Sequence, residues 1–309
     1  MTSSEPWDAT HLRLVWPQWQ GAGTSSVASL LPEFPFETAR RGYAVGTAVL
    51  GAILPEHPGP TVVVPNETGD TGLEIRDGVE AKTAVLRQLR VALDSIAATN
   101  FARISTLGGD CSVSVAPFTA LARLYRDDLA VIWIDSHPDI GTGASEYPGY
   151  HAMAVSAITG HGDPDIVGTL PAIVPAERVA LVGLHEWTED DIHNVTDWGI
   201  TSFTPDALRN DSVALLRWIE ESGMSHVAIH FDVDTVDGNE VVFGLGAAPA
   251  GLTTDQVSRI VRDISTATDV VGLTVAEFIP RQVMHLQRLL RDFPLLSSRE
   301  SNDSAGPAS

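Results

Sequence analysis

The sequence has little cysteine, few basic residues and no long apolar run. Its one cysteine, Cys111, excludes an internal disulfide and is typical of a reducing compartment. No stretch reaches the roughly 18 apolar residues that a membrane-spanning helix needs. The first residues also lack the basic and apolar regions of a secretion signal. These absences predict a cytoplasmic protein.

The shortage of basic residues excludes two classes of partner. The chain has 19 Lys and Arg against 40 Asp and Glu, which gives a formal net charge of −21 at pH 7. Nucleic acid and anionic membrane surfaces would both be repelled by such a chain. A small cationic substrate would be attracted to it instead.

Length and periodicity predict the fold class. The 309 residues, 44% of them hydrophobic, are enough to bury one large core. Short apolar runs typical of strands alternate with segments that have the spacing of helices, which predicts an α/β fold. We expect one domain over residues 1–296 and a polar, disordered tail over 297–309. The predicted strands are 12–16, 61–64, 104–107, 129–134, 178–184, 227–234 and 270–276, and the predicted helices are 36–54, 82–99, 113–125, 211–221 and 254–264.

The chain is organised around the apolar run 129–134, which is typical of a strand buried on both faces of a parallel sheet. Asp135, His137 and Asp139 follow it at alternate positions. Ligands bind at the carboxyl ends of the strands in open α/β sheets, so these side chains can converge there. Carboxylate and imidazole together suit a divalent metal ion. The alternative is that the aspartates cap the next segment and His137 is a turn residue.

A second strand, 227–234, ends in the same way. Asp232 and Asp234 occupy alternate positions at its carboxyl end, interleaved with apolar residues. Two carboxylates close together in a low-dielectric site repel each other by several kcal/mol, and a bound cation is the simplest resolution. A pair of solvated turn aspartates is the alternative. Glu277 again falls at the end of a predicted strand.

Two further candidates stand out less clearly by themselves. Cys111 follows two glycines that let the chain turn sharply after the strand 104–107, at the same sheet edge. The alternative for a free cysteine is a buried, inert thiol. His151 ends a loop rich in Gly, Ser and Pro, of the kind that shapes the mouth of a pocket. It is a candidate proton shuttle or, alternatively, a structural residue.

Four motifs, in this order along the chain, resemble those of one known family. They are Gly-Gly-Asp-Cys-Ser at 108–112, Asp-Ser-His-Pro-Asp at 135–139, Phe-Asp-Val-Asp at 231–234 and Ala-Glu-Phe-Ile-Pro at 276–280. The set resembles the arginase and agmatinase, or ureohydrolase, family. This resemblance implies a three-layer α/β sandwich with a central, mainly parallel sheet flanked by helices. It also implies two manganese ions, hydrolysis of a guanidino group to urea and an amine, and assembly into trimers or hexamers.

The resemblance also implies a role for each candidate residue. Asp135 and Asp232 would bridge the two ions. Cys111 and Asp139 would complete the ligands of one ion, and the remaining pair would complete those of the other. The whole ligand set implied by the resemblance is Cys111, Asp135, His137, Asp139, Asp232 and Asp234.

The chemistry implied by the resemblance is attack on the guanidinium carbon by a hydroxide held between the ions, because two cations lower the pKa of bound water. Asp139 would also orient this hydroxide through a hydrogen bond. By the same resemblance, His151 falls at the position of the proton shuttle. Glu277 falls where a carboxylate anchors the guanidinium by paired hydrogen bonds.

The chain departs from the family at one ligand, because Cys111 stands where the family pattern has histidine. Four aspartates and a thiolate carry five negative charges against four positive charges on two divalent ions. The extra charge should weaken the first ion as a Lewis acid, and the soft thiolate should shift the preference from Mn²⁺ toward Zn²⁺ or Co²⁺. Among known relatives, N-hydroxyarginine amidinohydrolases resemble this variant, so a hydroxyguanidine is a candidate substrate.

The loop between Asp139 and His151 is a second departure. Arginases have an Asn and a Ser there to hold the substrate's α-carboxylate, but this chain has Gly141 and Tyr147. We therefore do not expect ordinary L-arginine as the substrate. Tyr147 and Tyr150 would instead form an aromatic wall for a less polar one.

Two other functions remain open. One is a non-catalytic relative that holds a metal or small molecule in a regulatory role, which the altered position Cys111 would favour. The other is a deacetylase of the same fold, which uses one Zn²⁺ and usually a tandem His pair. The sequence contains no His-His dipeptide, which argues against the deacetylase.

Overall fold

Eight parallel strands form one sheet in the computed structural model, which describes residues 8–23, 27, 35–66 and 69–296. Their spatial order is β2-β1-β3-β8-β7-β4-β5-β6, and every neighbouring pair is parallel. The strands are β1 His11–Trp16, β2 Thr61–Val63, β3 Arg103–Gly108, β4 Leu129–Ile134, β5 Val179–Val182, β6 Thr201–Phe203, β7 His226–Asp232 and β8 Asp269–Ala276. The predicted α/β fold with a parallel sheet is confirmed.

Helices cover both faces of the sheet. They are α1 Phe36–Ala39, α2 Gly42–Ile53, α3 Lys82–Ala97, α4 Val115–Tyr125, α5 Ala154–Ile158, α6 Pro164–Val167, α7 Glu189–Asp197, α8 Pro205–Leu208, α9 Val213–Ser222, α10 Thr254–Ala267 and α11 Val283–Leu290. Short 3-10 turns lie at Asp8–Thr10, Gln20–Ala22, Cys111–Ser114, Tyr150–Met153, Ala176–Arg178 and Val233–Thr235. No helix in these ranges has both the length and the apolar character that a membrane crossing requires.

Alternation along β4 explains the layers, because successive side chains of a strand point to opposite faces. Trp133 belongs to one buried apolar cluster together with Leu89 of α3 and Phe118 of α4. Ile132 belongs to a second cluster together with Ile260 of α10, among other residues. The sheet therefore has an apolar core on each face, and the fold is the three-layer sandwich that was expected.

Several predicted boundaries change in the structure. The predicted helix 36–54 is divided into α1 and α2, and the predicted helix 113–125 begins with a 3-10 turn before α4. The strand predicted to run to Asp234 ends at Asp232, because the Asp232 carboxylate accepts a hydrogen bond from the Asp234 N–H and starts a turn. Strand β6 and helices α5, α6, α7, α8 and α11 had no prediction. The tail predicted over 297–309 lies outside the described residues.

The spatial order of the strands determines where the candidate site lies. Strands β3, β8, β7 and β4 are consecutive neighbours, and all four point the same way. Their carboxyl ends therefore meet at one edge of the sheet, which is the edge where open α/β folds bind ligands. The loops that leave this edge contain Cys111, Asp135, Asp234 and Glu277.

Candidate metal centre

Asp135, the first residue after β4, lies at the middle of the site and is almost completely buried. Its two carboxylate oxygens face different neighbours. Oδ1 accepts a hydrogen bond from the backbone N–H of His137 at 2.7 Å, whereas Oδ2 accepts one from Trp133 Nε1 at 3.1 Å. The sulfur of Cys111 lies 4.0 Å from Oδ2. Asp135 therefore joins two groups of metal-ligating side chains.

The first group consists of Asp135, His137 and Asp234, whose donor atoms all lie within 4.8 Å of one another. The distance from His137 Nδ1 to Asp234 Oδ2 is 3.3 Å, and the Ser136 hydroxyl donates to the other oxygen of Asp234 at 2.6 Å. Burial by itself would raise the pKa of Asp234, but the charge and hydrogen bonds of His137 outweigh burial and lower it to about 2. The His137 side chain is 47% exposed, so this group faces the solvent side of the site.

The second group is fully buried and consists of Cys111, Asp135, His230 and Asp232, again with all donor atoms within 4.8 Å of one another. The Cys111 thiol donates to Asp232 Oδ2 at 3.0 Å. Burial, followed by the nearby carboxylate of Asp232, raises the pKa of Cys111 well above its ordinary value. Without a metal ion the sulfur therefore keeps its proton, which a bound ion would displace.

His230 is a member of this group that the sequence analysis missed. Its ring stacks on Trp133, with centroids 3.6 Å apart and planes inclined by 10°. Burial lowers the pKa of His230 to about 3, so the imidazole is neutral. A usable signal was present in the sequence, because His230 precedes Asp232 by two residues on one strand and so lies on the same face of the sheet.

Asp139 lies close to these groups but belongs to neither set of converging donors. Its backbone is in the left-handed region, with φ at +47°. The carboxylate is buried, and its Oδ2 has no hydrogen-bond partner in the described part of the chain. Burial, together with the charge of Asp135, raises the pKa of Asp139 well above its ordinary value. Asp139 therefore lies at the site but outside the sets of converging donors, with one buried carboxylate oxygen unpaired among the described residues.

A row of hydrogen bonds joins Glu277, His151 and Tyr147. Glu277 Oε1 lies 3.1 Å from His151 Nδ1 and accepts the backbone N–H of Cys111 at 2.9 Å. On the other side of the imidazole, His151 Nε2 lies 2.8 Å from the Tyr147 oxygen, whose own proton is donated to the carbonyl of Ala22. Burial disfavours a charged imidazole, but the Tyr147 oxygen and the Glu277 carboxylate outweigh it and raise the pKa of His151. The arrangement holds a proton on each ring nitrogen.

A cleft of about 890 Å³ opens above these residues. Nine carboxylate side chains line it, and none of the described lining residues is Lys or Arg. These acids are Asp139, Glu146, Glu186, Glu189, Asp190, Asp191, Asp232, Asp234 and Glu277. Such a lining attracts cations and repels carboxylates. The acidic lining also favours bound cations, because buried carboxylates close to one another cost free energy when no cation neutralises them.

Of the two tyrosines predicted to form the substrate wall, only one lines the cleft. Tyr147 lines the cleft. Tyr150 is 2% exposed and packs into the core beneath one face of the sheet, so its assignment to the wall is wrong. The reason is local, because Tyr150 begins a 3-10 turn over Tyr150–Met153 that directs its side chain inward.

Comparison with known proteins agrees with this architecture. Residues 62–286 match the sequence model of the arginase family. Arginase from Bacillus caldovelox is 27% identical over 224 residues, which is 69% of this chain and 71% of that protein. Arginase from Eremothecium gossypii is 28% identical over 189 residues, which covers 58% of this chain but only 47% of the relative.

A solved structure shows the same fold. Arginase from Entamoeba histolytica in complex with L-ornithine superposes with a TM-score of 0.71, covering 91% of this chain and 96% of that one. At 16% identity this likeness concerns the fold alone. The match to the family model covers most of the chain, and the motifs of that family meet at one sheet edge. The chain therefore belongs to the arginase family and is a hydrolase of the arginase and agmatinase type.

Proposed function

We propose that the protein hydrolyses a C–N bond of a small cationic guanidine or hydroxyguanidine, giving urea or hydroxyurea and an amine. The observation that carries this proposal is the position of Asp135 between two groups of donors beneath an acid-lined cleft. Asp135 would thus help to hold a divalent ion in each donor group, as in hydrolytic sites that use two metals.

The residues present fit two divalent ions. Asp135 and Asp232 would hold the buried ion together with Cys111, and His137 and Asp234 would hold the outer ion together with Asp135. When bound, two such cations supply activation of water and positive charge for the transition state. Manganese is the ion expected from the family, while the thiolate of Cys111 favours Zn²⁺ or Co²⁺.

The groups beside the ions would bind the substrate and move protons. Glu277 presents a carboxylate to a cationic guanidinium, although its Oε1 is already engaged by His151. His151 would give its Nδ1 proton to the leaving nitrogen, as a general acid. Tyr147 would keep the imidazole oriented through Nε2. Asp139, whose buried Oδ2 has no hydrogen-bond partner among the described residues, would accept a hydrogen bond from the attacking water.

The cleft argues for a particular class of guanidine. Its nine acids, with no Lys or Arg among the described lining residues, disfavour a substrate that ends in a carboxylate. Gly141 and Tyr147 also line the cleft, with no Asn or Ser in the places where arginases hold the α-carboxylate. We therefore favour a substrate whose far end is cationic or uncharged over L-arginine.

The first experiment measures metal stoichiometry and turnover in the same purified samples. A panel of guanidino and hydroxyguanidino compounds, with and without a carboxylate, is assayed for release of urea or hydroxyurea. We expect two ions per chain and turnover of a carboxylate-free compound. Asp135→Asn should lose both properties, whereas Glu221→Gln, an exposed change at the end of α9, should lose neither.

Other results would favour the alternatives. Fewer than two ions with no turnover of any compound would support a non-catalytic, regulatory relative. One Zn²⁺ with cleavage of acylated amines would support the deacetylase. Cytoplasmic location and assembly into trimers or hexamers also remain proposals, and sedimentation of the purified protein tests the second.

A further inference from the structure

The imidazole of His230 is a potential metal ligand with no role in the scheme above. It lies on β7 and is completely shielded from solvent. Stacking on Trp133 and the contact of Nδ1 with Ser114 Oγ at 2.8 Å fix the ring on two sides. The remaining nitrogen, Nε2, is therefore held in one direction.

That direction is toward the buried donor group. Nε2 lies 3.8 Å from Asp135 Oδ2, which is too long for a hydrogen bond. It has no hydrogen-bond partner among the residues that the structure describes. A buried polar nitrogen without a partner is uncommon and costs free energy unless something binds it. Asp135 Oδ2 already accepts a hydrogen bond from Trp133 Nε1, so it does not need His230 as a second hydrogen-bond donor.

The spacing of the four donors suits one small ion. Tetrahedral Zn²⁺ with bonds of about 2.0–2.3 Å separates its ligand atoms by about 3.3–3.8 Å. The separations found here are 3.0 Å from Cys111 sulfur to Asp232, 4.0 Å from that sulfur to Asp135, and 3.8 Å from His230 to Asp135. All four donors lie within 4.8 Å of one another, so small side-chain adjustments would complete the site.

We propose that His230 is a direct ligand of the ion bound by Cys111, so that this position is a closed site of one sulfur, one nitrogen and two carboxylates. This inference rests on the dinuclear centre proposed above. His230 supplies the nitrogen donor that a cysteine at position 111 removes from the family pattern. The set also makes Asp139 unnecessary as a ligand, in agreement with its place outside both donor groups.

A closed buried site would give the two ions different roles. A four-coordinate site filled by protein ligands is typical of structural Zn²⁺, whereas a catalytic ion keeps an open position. The buried ion would then supply positive charge to the site without holding a water of its own. The outer ion beside the half-exposed His137 would be the one open to the cleft.

Cobalt substitution tests the coordination directly, with a readout that does not depend on activity. Protein loaded with Co²⁺ should show a thiolate-to-cobalt charge-transfer band and the intense d–d bands of tetrahedral cobalt. His230→Gln keeps an N–H donor near Nε2 but removes the imidazole, and His230→Phe keeps only the stacking on Trp133. Both variants should keep the thiolate band and lose d–d intensity.

Zinc affinity, measured by competition with a chelator, separates a ligand from a positioning residue. Loss of a residue that only orients a ligand costs about 10–100-fold in metal affinity, so loss of His230 should cost more than about 100-fold. Ser114→Ala, which removes the hydrogen-bond partner of His230 Nδ1, should lower zinc affinity by only about 10–100-fold. His226→Gln, on the same strand but at its amino end, is the matched control and should leave affinity unchanged.

Absorption spectroscopy at the zinc edge provides a test on the unmodified protein. With two zinc ions bound, we expect an average of one imidazole per ion, from His137 and His230, and half that number if only His137 binds. An intact thiolate band with unchanged d–d intensity and zinc affinity within tenfold in His230→Gln would overturn the role of His230 alone. Absence of the thiolate band in the unmodified protein would overturn the ligand role of Cys111, and binding of fewer than two ions per chain would overturn the dinuclear centre.

Discussion

Cys111 determines both the charge and the donor type of the buried half of the site. Its sulfur is within hydrogen-bonding distance of Asp232, and its backbone N–H binds Glu277. One residue thus contacts a proposed metal ligand and the proposed guanidinium anchor. A change at this position can alter metal selection without moving the loop, provided that the new side chain is no larger.

Replacement of Cys111 by Ser should therefore change metal content before it changes the fold. Serine keeps the size and the N–H bond to Glu277 but offers no thiolate, so the preference for zinc over manganese should fall. The measurement is the ratio of zinc to manganese bound from an equal mixture of the two ions. Unchanged metal content together with unchanged activity would contradict a ligand role for Cys111.

His151 should affect turnover and leave metal binding unchanged. His151→Asn removes the proposed proton donor, so kcat should fall by about 10²–10⁴-fold. Tyr147→Phe removes one partner that keeps the imidazole protonated and should lower its pKa. Because the proton donor acts in its charged form, the high-pH limb of the kcat profile should then move to lower pH. Full turnover in His151→Asn would remove this residue from the mechanism.

At the scale of helices and strands, the sequence predicted an element best where a single physical cause, such as burial of an apolar run, determines its structure. Strand β4 has the predicted bounds because six apolar residues leave no alternative to burial on both faces. The same logic predicted which strand ends would carry polar residues. It could not supply the spatial order of the strands, which depends on contacts distant in sequence.

His230 was missed because it lies inside a predicted strand, where its apolar neighbours suggested that it belongs to the core. Helix α7 was missed because it offers only Ile192 and Val195 as an apolar face.

Helix α2 supports the loop that carries Glu277. A Cβ on Gly46 would lie 1.8 Å from the carbonyl oxygen of Phe278, so Gly46→Ala must push the helix and this loop apart. We expect a loss of about 1–3 kcal/mol in the free energy of unfolding. If Glu277 moves by about 1 Å, kcat/KM should fall by about 100-fold.

Gly51 provides the control on the same helix. It has no atom within 4 Å of an added Cβ, so Gly51→Ala should stabilise the protein by about 0.5–1 kcal/mol and leave kcat/KM unchanged. Denaturant unfolding and steady-state kinetics of both variants provide the measurements. Equal effects of the two substitutions would show that close packing at Gly46 does not position the loop.

For the whole molecule, buried acids at one sheet edge couple stability to pH and to metal. Burial is the largest cause that raises the pKa of Asp110 to about 6, with the Glu277 carboxylate next. Burial, followed by the charge of Asp234, raises the pKa of Asp135 to about 6. A shift of this size corresponds to roughly 3 kcal/mol for each group. The metal-free fold therefore favours protonated acids at this edge of the sheet.

The direction of the pH effect follows from proton binding. An acid with a raised pKa in the folded state keeps its proton between about pH 4 and pH 6, where the unfolded chain has released it, so stability falls as pH rises through this window. Asp234, with a lowered pKa of about 2, acts in the opposite sense, but only below about pH 4. Burial lowers the pKa of His11 and of His230 to about 3, so these two rings oppose the acids within this window. Burial also raises the pKa of Asp139 and of Asp232, so four acids outweigh two histidines, and protein stripped of metal should be less stable at about pH 7 than at about pH 4.5.

Divalent ions should reverse this dependence, because they replace the protons on the same carboxylates and bind more tightly as the ligands lose protons. Urea unfolding of chelator-treated and metal-loaded protein at both pH values, each at low and high salt, provides the measurement. Salt screens the repulsion expected from a net charge of −21 on the surface but acts much less on buried pairs. A fall in stability that disappears in high salt, or that is the same with and without metal, would assign the effect to surface charge and not to the site.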